Sequence, residues 1–596
     1  MNVLDSPFVH IEDLLNRGDM IGARRGIDEW MRMLPVDAGA LTAYAHFLRL
    51  NGERKEAAAT LDESLAIAPC FVPTLVEMAR LATAESEFER ACSLYEQGYS
   101  RCCEGRSSWL TEWIEVLFRL KRYERAAQIG SELCELRPDA PFTWFKLGLA
   151  HQMRGVHPDA LIPYQRAMEL DPDYPSLRNN LAVVHIEMQQ LDIAHQLCLE
   201  ALTDEPENHM TWTNAALVLL KLGNLQNALV AAQRAYGLAP EYVPALLIYA
   251  NVLRELGRND EALDSLSKAS QLVSVEPSLK WALAMLQLAS GDYQNGLANH
   301  EARWSGSPEL AGPQFLPEKR WNNEALTGKT LFVWGEQGFG DAFQFVRFVP
   351  LIAERVRREG GNFIYCCFRK VLPLFKRALA AHVTRVVPHD VIPLPNFDFH
   401  IPIGSLPLMF DVTLDSLPAP RQYLLPDPDW VIRWRDKLKA SKAFKVGLVW
   451  SGSRTHQRNR YRSIPPLMYA RAFRGLPGVE FYSLQVDGAA EARQMASEGL
   501  RLVDPTNQLS SYDKTAALVS NMDIVITVCT SVAHLSGALG VKTWLLLDQN
   551  PHWVWMSGRR DSPWYPTMRL YRQRTFGDWS PVLDEVKTDL LIHASC

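Results

Sequence analysis

The stretch LFVWGEQGFGDAFQFVRFVP, beginning at Leu331, joins a short apolar run to a segment of helical hydrophobic spacing through Gly335, Gly338 and Gly340, with Asp341 directly after the last glycine. Strand, glycine turn and helix in that order suit a phosphate or a nucleotide. Glycine lets the backbone curve tightly and lets an acceptor or donor come close. The spacing G-x-x-G-x-G-D lacks the Lys-Ser/Thr pair of a P-loop, however, and is not the G-x-G-x-x-G of a dinucleotide site. Glu336 lies within the same turn, and sequence spacing does not reveal which carboxylate points where.

Two further groups of residues can do chemistry. In VCTSVAHLSGALG, Thr530 and Ser531 precede a helix running through His534 and Gly537. Free amides of its first turn and two small hydroxyls can cradle a nucleotide phosphate, and His534 can hydrogen-bond a donor phosphate or sugar. An ordinary N-cap and a structurally satisfied histidine are the competing readings. The cluster SGSRTHQRNRYRS supplies Arg454, Arg458, Arg460 and Arg462 after an apolar run ending near Trp450. Arginine clamps phosphate or carboxylate through paired hydrogen bonds and stabilises charge on a departing nucleotide; a solvent-facing basic loop containing a lone histidine, His456, is the plain alternative. No His/Cys/Asp set has metal-ligand spacing and no Ser-His-Asp assignment is supported, so no metal is expected.

The elements that must position these residues fall in two halves. Pro138, Pro172, Pro206 and Pro240 recur every 34 residues, as do Ala167, Ala201, Ala235 and Ala269. Gly18 and Gly52, Pro35 and Pro69, and Gly223 and Gly257 extend the interval in both directions. Within one unit, apolar and small residues at helical spacing flank Gly155, and an Asp-Pro near the end supplies a stop. Each unit therefore reads as two antiparallel helices, similar to a tetratricopeptide repeat, over residues 8–305. Trp144 and Trp212, two repeats apart, could face a ligand, but their position is where bulky packing residues belong.

After a Pro-, Gly- and Asn-rich linker at 306–327, strand candidates at Leu331, Asn362, His382 and Phe397 alternate with helical segments, predicting one α/β lobe at 328–435. A second series, FKVGLVW, VEFYSLQ, MDIVITV and VKTWLLLD, predicts another at 436–596. Facing ends of two parallel sheets would make a cleft.

The whole-chain properties narrow the classes. With 47% hydrophobic and 22% charged residues over 596 positions, the composition is that of a folded multidomain protein. A net charge of -6 gives no overall case for nucleic acid. Ten scattered cysteines do not form a disulfide framework, no start signal is visible, and no apolar run reaches membrane-span length. A cytoplasmic protein without a membrane span is expected.

From Trp321 to about Val582, the segments WGEQGFGDAFQF, VGLVWSGSRTHQRNRYRSIP, YDKTAALVSNMDIVITVCTSVAHLSGALG and DSPWYPTMRLYRQ resemble bacterial tetratricopeptide-repeat glycosyltransferases related to the lipopolysaccharide heptosyltransferases. With the repeats, the resemblance covers nearly the whole chain, and its size and order are similar to flagellin nonulosonic-acid glycosyltransferases. It implies an all-α tetratricopeptide-repeat superhelix followed by an α/β GT-B fold with two Rossmann-like lobes. It further implies an inverting, metal-independent, cytoplasmic transferase moving a nucleotide-activated nonulosonic acid, such as the pseudaminic type, to Ser or Thr of flagellin or a similar secreted protein held by the array.

In that resemblance Asp341 matches the catalytic base, the second-lobe residues Arg454, Arg462, Thr530, Ser531, His534 and Gly537 match donor-binding positions, and NPHWVWMSGRRDSPWYP matches a tail loop closing over the donor. Asp341 as a cap of the following helix is the local alternative. Cys529 stands where related families carry an acidic nucleoside contact, which favours a CMP-linked acidic sugar over an ADP-linked one. Two other readings are transfer to lipopolysaccharide and a catalytically inactive repeat adaptor that senses nucleotide sugars.

Overall fold

What makes the 34-residue interval work is a backbone conformation repeated at each helix-to-helix turn. In the computed structural model, which describes residues 7–101, 108–272, 276–307, 316, 318–336 and 338–594, the chain divides into two compact units, Met1–Gly223 and Asn224–Cys596. The first unit is built of helix pairs such as Ala38–Leu50 with Arg54–Ile67, Pro141–Met153 with His157–Leu170, and Leu177–Glu187 with Leu191–Asp204. The second residue after the first helix of each pair is left-handed: Gly18, Gly52, Ser86, Lys121, Gly155 and Gln189 all have positive φ. That twist returns the next amide to the helix end, as when the amide of Glu53 donates to the carbonyl of Leu48 at 2.9 Å and that of Gln190 to His185 at 2.9 Å. The N-terminal half is thus the expected all-α tetratricopeptide-repeat superhelix.

Three of these turns use residues with a Cβ, and left-handed backbone costs such a residue about 1 kcal/mol or more. Part of that is offset by glycine's greater unfolded-state entropy. Exposed Gln189, at φ 60°, makes a direct test: Gln189→Gly is expected to stabilise the protein by about 0.5 kcal/mol in urea unfolding, and a loss of stability would refute this account of the turn.

Small residues let the helices approach. A Cβ on Gly148 would lie 2.5 Å from Cδ1 of Tyr164, a fully buried ring whose hydroxyl donates to Gln152 at 2.6 Å. Trp144 and Trp212 repeat one bond, each indole N–H donating at 2.8 Å to the proline carbonyl six residues earlier, Pro138 and Pro206. Their indoles serve the packing of their own repeats.

On the first helices of successive pairs, buried Glu77 takes hydrogen bonds from Arg49 and from Arg80 Nη1 at 3.2 Å, and Arg80 Nε donates to Glu112 Oε2 at 2.8 Å. The network fixes the register of three neighbouring repeats.

The second unit begins with helices Leu225–Leu238, Val243–Glu255, Asn259–Leu272, Pro277–Ser290 and Tyr293–His300 and continues into two sheets. The first sheet contains β1 (Lys319–Arg320), β2 (Thr330–Trp334), β3 (Asn362–Cys367), β4 (Arg385–Pro388) and β5 (Phe399–Pro402), in the order β1-β5-β2-β3-β4. The second contains β6 (Phe444–Val449), β7 (Val479–Ser483), β8 (Leu502–Val503), β9 (Ile524–Val528), β10 (Thr543–Leu547) and β11 (Met568–Arg572), ordered β11-β10-β9-β6-β7-β8. Every pairing in both is parallel.

Parallel strands covered on both faces read as continuous apolar runs. In β2, Leu331 and Val333 enter one core while Phe332 and Trp334 enter another. The larger core is continuous from repeat residues Leu288, Tyr293 and Leu297 through Phe343 and Ile352 to Leu535, Trp553 and Trp564. The C-terminal half is therefore a mixed α/β region built onto the last repeats of its own unit.

Candidate functional site

The glycine turn leaves β2 at Trp334, where the Gly335 amide donates to the carbonyl of Cys366 at 2.9 Å. None of Gly335, Gly338 and Gly340 takes a left-handed backbone, so curvature is not what demands glycine; at Gly340 it is space. A Cβ on Gly340 would lie 3.1 Å from Cδ2 and 3.4 Å from Nε2 of His534, because the helix Phe339–Phe345 packs on the helix Ser531–Ala538.

Both carboxylates of the turn are engaged. Asp341 accepts the Gly338 amide at 3.1 Å through Oδ2, closing the first turn of its own helix. Burial pushes its carboxyl above the ordinary range against the pull of that amide. Glu336 is gripped by fully buried Arg303, with Nε to Oε2 at 2.6 Å and Nη2 to Oε1 at 3.0 Å, and Glu336 also accepts the Gly404 amide at 2.6 Å. The helix cap is thus the role the geometry displays for Asp341. Asp341→Asn, which keeps an acceptor and removes a charge that burial disfavours, is expected to match or exceed wild-type stability at pH 7, whereas Asp341→Ala should lose about 1 kcal/mol. Thermal unfolding of both variants checks this, and a large loss in the asparagine variant would contradict it.

In the second sheet region, Thr530 is the N-cap residue of Ser531–Ala538 and its hydroxyl lies 3.2 Å from that of Thr527. The Ser531 hydroxyl meets the Tyr512 hydroxyl at 2.8 Å. His534 is buried, with Nδ1 2.8 Å from the Tyr565 hydroxyl; burial holds it well below its usual pKa and therefore neutral. Gly537 is a packing residue, since a Cβ there would strike Cδ1 of Tyr565 at 2.4 Å. Cys529 is buried, its Sγ accepting the Trp555 indole N–H at 3.1 Å, and burial pushes the thiol up.

The arginines separate. Arg454 points outward, 76% exposed, and pairs with Glu491 at 3.2 Å. Arg458 is taken up by Glu255 and by Asp548 at 2.8 Å. Arg462 lies over Gly452, where a Cβ would meet its Nη2 at 2.4 Å, and donates weakly to Asn459 Oδ1 at 3.4 Å. Turn and helix start lie together through Gly340 and His534, and Arg462 is near enough to His534 to add to the lowering of its pKa. Arg454 instead pairs with Glu491, and Gly537 packs on Tyr565.

Sequence reasoning missed Arg303 and Arg347. Buried Arg347 ties the first sheet region to the second, donating to the carbonyl of Trp564 at 2.7 Å and to the Tyr423 hydroxyl at 2.9 Å, with three aromatic rings around its guanidinium. An arginine inside the apolar FQFVRFVP was the available signal. Arg303 had a weaker one in the sequence EARW. Among the described residues no group of three or more His, Cys, Asp or Glu side chains could hold a metal ion, and no helix is long and apolar enough to cross a membrane.

A tetratricopeptide-repeat family model matches residues 76–273. The chain is 27% identical to Protein FlbA of Caulobacter vibrioides over 529 residues, 79% of this chain and 88% of that protein. It is 25% identical over 197 residues to a DnaJ homolog subfamily C member 7 homolog of Schizosaccharomyces pombe, covering 30% of this chain and 41% of that one. A crystal structure of the APC/C hetero-tetramer Cut9-Hcn1 aligns with a TM-score of 0.33 at 17% identity, over 42% of this chain and 49% of that one.

These findings support tetratricopeptide repeats in the N-terminal half and a similarity to FlbA and to other repeat-containing proteins. They overturn the expectation of a GT-B glycosyltransferase, with its inverting metal-independent activity, nonulosonic-acid transfer and flagellin glycosylation. In the turn, Glu336 is held by Arg303 and Asp341 accepts the Gly338 amide.

Proposed function

We propose that the protein is a non-catalytic repeat adaptor: its helical array holds a partner protein, and its α/β region binds a nucleotide-type ligand without turning it over. The observation that carries this is the glycine turn itself, where Asp341 caps a helix and Glu336 is bound bidentately by Arg303. Stacked helix pairs expose an extended face of first helices, the common means by which such repeats hold peptide segments. For the ligand, the support is the convergence of a helix start at Thr530 and Ser531, neutral His534 and Arg462 beside two parallel sheets, an arrangement compatible with two Rossmann-like lobes.

The finer terms of this reading are a flagellin-like secreted protein as partner, a CMP-linked nucleotide sugar as ligand, and action in the cytoplasm. They also include the division into an array at 8–305, a linker at 306–327, and lobes at 328–435 and 436–596. The test combines flagellin capture by the full chain with intact-mass analysis of the captured flagellin after incubation with CMP-activated sugar. Capture with unchanged mass is expected; a sugar-sized increment, or no capture, would sink the reading.

A further inference from the structure

The loop that follows β6 is closed at its base by its own residues and anchored further out by a repeat helix. At the base, Ile464 donates its amide to the carbonyl of Trp450 at 2.9 Å, and the hydroxyls of Ser451 and Ser463 lie 2.9 Å apart. The Asn459 carboxamide accepts the Gly452 amide at 2.9 Å and donates to Ser451 Oγ at 3.1 Å. Between these, Ser453, Arg454, Thr455 and Gln457 are exposed. Arg458 turns inward instead. It pairs with Glu255, the last residue of the helix Val243–Glu255, and donates from Nη2 to Asp548 Oδ2, just after β10, at 2.8 Å. Two buried carboxylates on different elements therefore share one guanidinium. Asn550 fixes the Glu255 end, donating Nδ2 at 2.9 Å to the same oxygen, Oε1, that Arg458 takes. Arg458 passes the constraint on: it is the N-cap residue of the short turn Asn459–Arg462, and its carbonyl accepts the amides of Tyr461 at 3.1 Å and Arg462 at 3.3 Å. One ion pair and one turn of backbone thus connect the repeat helix to Arg462.

We infer that Glu255 is a positioning residue: through Arg458 it holds the turn that carries Arg462, so that the repeats of the second unit set how firmly the α/β region grips its ligand. This rests on the nucleotide-type reading above and extends it to a residue outside the sheets. An ion pair at the surface would contribute little, but here both carboxylates are buried and losing a partner is costly. Each arm of the guanidinium fork is taken by a different carboxylate, which fixes its direction as well as its place. Without Glu255 one arm is released and the start of the turn can swing about the Asp548 bond. A loop already fixed before the ligand arrives loses less freedom on binding, and the affinity is higher for it.

Hydrogen exchange of the full chain, read on residues 451–463, tests the anchor without any ligand. Glu255→Ala is expected to accelerate exchange there by about tenfold or more, since losing a bond to a charged group lets the turn open more often. Glu255→Gln, which keeps an acceptor for the fork, should recover part of that protection, and Arg458→Lys, which replaces the fork by a single point charge, should lose it. The double variant Glu255→Ala/Arg458→Ala should exchange no faster than Arg458→Ala alone, because the two residues act in one line. Asn259→Ala removes a neighbouring bond from the same repeats to the tail loop, Asn259 Nδ2 to Ser557 Oγ at 3.1 Å. It should leave residues 451–463 at wild-type rates, which separates positioning from a general loosening of the repeats.

Calorimetric titration with CMP reads the consequence: binding should weaken by about tenfold in Glu255→Ala and in Arg458→Lys and stay at the wild-type level in Asn259→Ala. Wild-type exchange of residues 451–463 in Glu255→Ala, or effects that multiply in the double variant, overturns the anchor. Faster exchange with wild-type CMP affinity overturns its coupling to the ligand. If wild type binds no CMP while exchange of its loop depends on Glu255, the anchor stands and the nucleotide reading falls.

Discussion

Arg303→Met is expected to destabilise the protein by about 3–5 kcal/mol, because it removes one partner of a buried ion cluster and strands the others. Arg303 is fully buried and donates to Glu336 twice, to Glu301 at 2.8 Å and to Ser405 at 2.9 Å, with its guanidinium 4.7 Å from the centre of the Trp304 ring. Methionine fills much of the volume but leaves Glu336 with the Gly404 amide as its donor among the described residues. Adding Glu336→Gln to Arg303→Met should recover a large part of the loss, since the cost lies in the unpaired charge more than in the missing bonds. Urea unfolding of the single and double variants measures both.

The pH dependence carries a sign that can be checked in the same variants. Arg303 and Arg320 hold the carboxyl of Glu301 down to about 2, against burial, from an ordinary value of 4.5. A depressed acid stabilises the fold above its unfolded pKa, and that contribution fades as pH falls from about 4.5 toward 2. Burial raises the carboxyl of Glu336 even with Arg303 present, so without Arg303 its charge is disfavoured further. The deficit of Arg303→Met should therefore be largest near pH 7 and shrink on mild acidification. An equal deficit at pH 5 and pH 7 would rule out stranded Glu336 as its cause.

Trp564→Ala is expected to cost about 3–5 kcal/mol through the cavity it leaves. The side chain is fully buried, its ring meets Phe345, Phe348 and Trp553, and its indole N–H donates to the Tyr293 hydroxyl at 2.6 Å. Tyr293 begins the last long repeat helix pair's second member, so this one residue joins the repeats of the second unit to the tail loop. Trp564→Phe keeps an aromatic ring but strands the tyrosine hydroxyl, and should lose about half as much. Hydrogen exchange in Tyr293–His300 should accelerate in the alanine variant. A stability loss below about 1 kcal/mol would show that the surrounding rings collapse into the space.

The repeat array was legible because its cause is local and recurs. Helical spacing, an alanine at each close approach and a turn residue every 34 positions state the same pattern in successive units, so chance agreement is improbable. Even there, Ser86, Lys121 and Gln189 occupy left-handed turns without glycine, each closed by the next amide donating back to the helix end. The strands were legible for a comparable reason. A parallel strand covered on both faces must be apolar along its length, and TLFVW, FKVGLV, IVITV and TWLLL are.

The site was legible only as residue types. Nothing in GEQGFGD tells Glu336 that its partner is Arg303, on the far side of a linker, or tells Asp341 that its nearest donor is the Gly338 amide three residues back. Those bonds, and not the spacing of the turn, set what each carboxylate touches. Likewise the arginines of one loop share a sequence context, yet packing directs Arg454 to solvent and Glu491, Arg458 to Glu255 and Asp548, and Arg462 over Gly452. Glu255 carries no signal in its own repeat, where it is one charged residue at a helix end. Its meaning arises from a helix end brought against a loop almost 300 positions later, as the Glu255–Asn550 bond records. Electrostatic character depends on burial and on neighbouring charge, and both are properties of distance in space, which the order of residues along the chain leaves unspecified.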